Sequence, residues 1–118
     1  MKKIYLLVAL LIMIFSAVSY SKKYPADYGR NTWKKNCRLA CHDGSKTGVP
    51  KLAPNSKTQQ QWENVFAQNR KYIYEMHKGV DFSHLSEKDW NMIKLFVIQH
   101  AYDSDQPESC ETTENFVK

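Results

Sequence analysis

At 118 residues, 42% of them hydrophobic and 25% charged, the chain has the length of one domain and the composition of a globular one. Its formal net charge of +5 falls to +3 once Lys2 and Lys3 are set aside, which is too little to imply a nucleic-acid partner. Cysteines number three, Cys37, Cys41 and Cys110, an odd count that needs an explanation if the chain is exported.

The first segment has the layout of a secretory signal peptide. Met1-Lys2-Lys3 is basic, Ile4 to Phe15 is apolar, and small residues follow at Ser16, Ala17 and Ser19. The apolar run is short of the roughly 20 residues that a membrane span needs. No cysteine follows it, which argues against a lipid anchor. Cleavage is expected after residue 19, or as late as 21, so the mature chain is expected in the periplasm or otherwise exported.

Residues 20–101 are then expected to form one helical domain, followed by a polar tail over 102–118. Asp27 to about Arg38 reads as a first helix, capped by Asp27, with Gly29, Trp33 and Cys37 on one face at spacings of four. Gly44, Gly48, Pro50 and Pro54 break the helical pattern and predict a loop. Thr58-x-x-Gln61 and Ser56-x-x-Gln59 are both candidate capping boxes, so a second helix is expected to start near Thr58. Its apolar stripe is Trp62, Phe66 and Ile73, with a break near Asn69-Arg70 and a stop at Gly79. Ser86-x-x-Asp89 opens a last helix, whose buried stripe is Trp90, Ile93, Phe96 and Val97. No strand pair is evident. The fold class is therefore all-α, and the residues beyond Asp103 read as a loosely held tail.

The segment Cys37-Arg38-Leu39-Ala40-Cys41-His42 carries the chemistry. Two thiols followed at once by a histidine form the pattern of covalent haem attachment, usually written Cys-x-x-Cys-His. Here three residues separate the cysteines. The thiols would bond the two vinyl groups on one porphyrin edge, and the histidine would meet the iron.

With its flanks, the chain resembles a class I monohaem cytochrome c, in a variant with a Cys-x3-Cys-His motif. Gly29, Trp33 and Cys37 match the family's first helix; Gly48, Pro50 and Leu52 match its loop; Leu85, Ser86, Trp90, Ile93 and Phe96 match its last helix. The resemblance spans roughly residues 27 to 101 and implies an all-α domain wrapped around one covalent haem c. It implies thioethers at Cys37 and Cys41, His42 as proximal iron ligand, and the Pro50 carbonyl as acceptor for the other His42 ring nitrogen. The tail with Cys110 has no counterpart in the family.

For the second axial ligand, Met76 and His77 are adjacent and, counted at 100° per residue from Phe66, both fall near the apolar side. The family pattern favours a methionine, usually one followed by proline. Proline is absent here, and His77 is preferred, with Met76 as the alternative. His84 and His100 are weaker candidates.

The function expected from the resemblance is electron transfer, with transient redox partner proteins and docking to a membrane-bound respiratory complex among the settings it allows. No second catalytic constellation accompanies the motif, so the chain is read as a carrier and not an enzyme. The alternative is a haem protein with a displaceable sixth ligand that binds or senses a small molecule. A haem-free thiol or zinc module, using Cys37, Cys41, His42 and Cys110, is the third reading.

Overall fold

A computed structural model describes residues 27–109. The signal segment over 1–19, Cys110 and the remainder of the tail lie outside the described residues. The described residues are helical, and no strand occurs among them.

Helix α1 spans Tyr28–Trp33 and continues without interruption into π-helical turns over Lys34–His42. The helix thus runs past Arg38, to the histidine of the motif. Asp27 gives its side chain to Arg30 at 2.6 Å and makes no side-chain cap. A backbone bond from Asn31 N–H to the Asp27 carbonyl, at 2.9 Å, starts the helix instead.

A short 3-10 turn at Pro54–Ser56 follows the loop. Ser56 accepts from the Ala53 amide at 2.9 Å, so it serves this turn and not the next helix. Helix α2 spans Gln59–Met76 and opens on Thr58. The Thr58 hydroxyl accepts from the Gln61 amide at 3.2 Å, and the Gln61 side chain accepts from the Thr58 amide at 2.9 Å. This reciprocal pair satisfies two donors that a helix start leaves open.

Helix α2 is broken between Ala67 and Arg70. Gln68, Asn69 and Arg70 take φ values of 52°, 53° and 62°, in the left-handed region. Each such non-glycine residue costs about 1–2 kcal/mol. Arg70 ties the kink down by a two-pronged bond to Glu87, at 2.6 and 3.1 Å, and lies 5.1 Å over the Trp90 ring. The chain leaves α2 through Gly79, at φ 83°.

Helix α3, Glu87–Gln99, is opened by Ser86 and Asp89, which cap each other at 2.9 and 3.1 Å. It crosses α1 at close range. A Cβ on Gly29 would lie 2.4 Å from the Met92 carbonyl oxygen and 2.9 Å from Phe96 Cβ, so only glycine fits the crossing. Trp33 packs on Phe96 beside it, with ring centres 5.9 Å apart, and Tyr28 donates to Asp89 at 2.6 Å. Trp62, Ile73, Trp90, Ile93 and Val97 complete the core.

The start of the tail is anchored, in contrast to the loose segment expected. Residue 102 donates its amide to the Lys57 carbonyl, and the Glu108 backbone bonds both Asn55 and His100, all at 3.0 Å. The Glu108 side chain is buried against Arg30 of α1 and His100. A polar sequence hid this because a single buried carboxylate, paired with a half-buried arginine, holds the strap.

Candidate functional site: an apolar cleft with facing histidines

The core has a hole in it. A cleft of about 290 Å³ opens between the π turns, α2 and α3. Trp33, Leu52, Trp62, Ile73, Trp90 and Ile93 give it apolar walls. Cys37, Cys41 and His42 enter from the π turns, and His77, Phe82 and His84 from the opposite side. The rim is polar and exposed at Lys35, Asp81 and His84.

The π turns bring both cysteines to one cavity. A π turn bonds i to i+5 and so holds one more residue than an α turn, the usual result of a single insertion. Cys37 and Cys41, with three residues between them, both lie in these turns. Of the residues between the cysteines, Arg38 is buried and Leu39 is 56% exposed. Both cysteines are free thiols. Burial, and secondarily the nearby Cys41, pushes the Cys37 thiol up to about 12. It is therefore a neutral thiol at physiological pH, which is unlike the activated thiolate of a disulfide-exchange enzyme.

The two histidines face each other. The ring centres of His42 and His77 are 5.9 Å apart with an interplanar angle of 69°. Each has its Nδ1 2.7 Å from a backbone carbonyl, that of Pro50 for His42 and that of Ile73 for His77. A carbonyl oxygen only accepts, so both Nδ1 atoms are donors. In the neutral ring this leaves the Nε2 lone pair for a metal. Imidazole nitrogens are common metal ligands, and the 5.9 Å between ring centres brings both side chains to one space.

His77 lines the cleft, whereas its neighbour Met76 is 65% exposed and does not. Adjacent positions point about 100° apart, so only one of the two enters; with 67–70 out of helical phase, which one it is does not follow from Phe66 by 100° per residue. Phe82 holds the His77 ring edge-on, with centres 5.4 Å apart. Nothing in the sequence marked Phe82 for this role, because it lies in a loop with no periodicity to read.

The remaining histidines differ from each other. His84 lies on the rim, its Nε2 2.9 Å from the Asn36 side-chain oxygen. His100 is away from the cleft, its Nδ1 2.7 Å from the Gln106 carbonyl and 3.3 Å from Glu108. Among the described residues, no group of three or more His, Cys, Asp or Glu side chains is arranged to hold a metal by itself.

No family model matches the chain, and neither a curated protein nor a solved structure does. No described helix is long and apolar enough to cross a membrane.

Proposed function

We propose that the chain is an exported electron-transfer protein of the c-type cytochrome kind, with one haem c seated in the cleft. The facing pair His42 and His77, each with its Nδ1 on a backbone carbonyl, is the observation that supports this most. Bound there, haem would supply a one-electron ferric–ferrous couple whose potential the axial ligands tune.

The chain's own residues have separable tasks in this reading. Cys37 and Cys41 would each exchange the S–H bond for a thioether bond to a vinyl carbon, the proton going to the neighbouring carbon of the same vinyl group. His42 would hold the iron, with the Pro50 carbonyl fixing its tautomer and plane, and His77 would be the second ligand in preference to Met76. The tryptophan-lined walls exclude water, and the exposed rim leaves one edge within reach of a redox partner. Such contacts are small and transient.

Co-expression with a cytochrome c maturation system that accepts three-residue spacing tests the proposal. A haem mass that survives denaturation, together with a low-spin spectrum lacking the far-red sulfur band of methionine ligation, is the expected result. A colourless protein of unmodified mass would sink it. A loaded but high-spin protein would move the assignment to small-ligand binding.

A further inference from the structure

We propose that Tyr74 is the surface outlet for oxidising equivalents formed on the walls of the cleft. A one-electron oxidant of the radical class that enters the cleft takes its electron from Trp90, and Trp90 recovers one from Tyr74. The route uses the chain's own aromatic side chains and stands whether or not the cleft holds haem.

Indole gives up one electron more readily than an aliphatic group or a phenylalanine ring. Trp33, Trp62 and Trp90 all line the cleft and are otherwise closed to solvent, so the cleft is where an oxidant meets them. Trp90 differs from the other two in what stands behind it. Its ring centre lies 6.3 Å from that of Tyr74, at an interplanar angle of 70°, and 5.4 Å from that of Phe82. Tyr74 does not line the cleft and is 44% exposed, so this one contact joins the cleft wall to the outer surface. Trp62 reaches Trp90 through Phe66, with ring centres 6.5 Å apart at each step. Tyr72 and Tyr102 are more exposed than Tyr74, yet neither makes a ring contact among the described residues.

Arg70 gives the route its direction. Its guanidinium carbon lies 5.1 Å over the Trp90 ring and 6.0 Å over the Tyr74 ring. The Arg70 side chain is 14% exposed and that of its partner Glu87 is 75% exposed, so the cation is the charge set against the rings and the carboxylate is the one that water screens. A neutral indole is attracted to the cation, whereas an indole that has lost an electron is itself positive and is repelled by it. A phenol that loses an electron also sheds its proton, so its radical is neutral and meets no such repulsion. The steps balance. The oxidant gains one electron, one electron passes from Tyr74 to Trp90, and the phenolic proton goes to water. The net loss is one electron and one proton from Tyr74.

Laser photoionisation of the full-length chain, at a wavelength that indole absorbs and phenol does not, makes the indole radical directly, with dissolved oxygen taking the released electron. Transient absorption follows the indole and phenoxyl radicals, and mass mapping of nitroso spin-trap adducts locates the end product. The wild type should convert one radical to the other at a rate independent of protein concentration, with adducts at Tyr74. Tyr74→Phe, which keeps the ring against Trp90, should lose the conversion, and Tyr72→Phe should keep it. Trp90→Phe should lose it too; if that core variant does not fold, Y74F carries the test alone. An unchanged conversion in Y74F, or adducts at Tyr72 or Tyr102 in place of Tyr74, overturns the proposal. So does a rate that rises with protein concentration, which marks transfer between molecules.

Discussion

His77 turns into the cleft and Met76 turns out of it, so single substitutions at these adjacent positions should give opposite results. His77→Ala in the loaded protein is expected to convert a low-spin ferric spectrum to a high-spin one and to let cyanide or imidazole bind at least tenfold faster. Met76→Leu should leave both unchanged. Optical spectra with ligand-binding kinetics check the pair, and a spectral change in M76L alone would reverse the assignment. From the sequence, the two residues could not be separated. Counted as an unbroken helix, both sat near the apolar side; the break near Asn69-Arg70 was legible, but not the left-handed turn of Gln68, Asn69 and Arg70 that resets the phase. The Pro50 carbonyl, 2.7 Å from His42 Nδ1, was expected from the family resemblance alone and not from any pattern of spacing in the chain. The Asn36–His84 pair was not legible, since its members are 48 positions apart.

The helices are fixed by their ends and by one crossing. Ser86 and Asp89, like Thr58 and Gln61, were readable as capping boxes because the partners lie three residues apart in the chain. The Asp89 carboxyl is held below its ordinary range first by the Tyr28 hydroxyl and then by the Ser86 amide, and Glu87 is held down by Arg70. Both carboxylates are more readily ionised when folded. Their contribution is therefore fully present above the unfolded carboxylate range and is lost as pH falls through the lower folded values. Chemical denaturation should accordingly show stability falling below about pH 4, with a smaller fall in Tyr28→Phe. At the crossing, Gly29→Ala forces a methyl group onto the Met92 carbonyl and should cost about 1–3 kcal/mol by the same measurement. An unchanged midpoint in G29A would mean that the helices slide apart freely. The widening of α1 into π turns was hidden, because periodicity templates assume one turn size throughout.

Taken as one molecule, the domain is closed by a strap and opened by a cleft. Glu108 joins the backbone near Asn55, the α1 side chain of Arg30 and the end of α3, so it links three parts of the chain. Glu108→Ala is expected to destabilise the fold by about 1–3 kcal/mol, since it strips charge-assisted bonds from partly buried partners. Thermal melting followed by circular dichroism tests this, and an unchanged melting temperature would show the strap to be passive. The cleft removes apolar contacts from the centre of an already small core. The unloaded chain should therefore melt well below the loaded one, which the same melts would show. Overall helix count and order were legible from composition, turn residues and stripes. The cleft was not, because the residues lining it are the same aromatics and aliphatics that mark a filled core.

The π turns over Lys34–His42 carry one further consequence. Inserting a residue into an α-helix ordinarily rotates everything beyond it by about 100°. Here the π turns run from Lys34 to His42, where the helix ends. No helical face lies beyond the motif for an added or lost residue to turn.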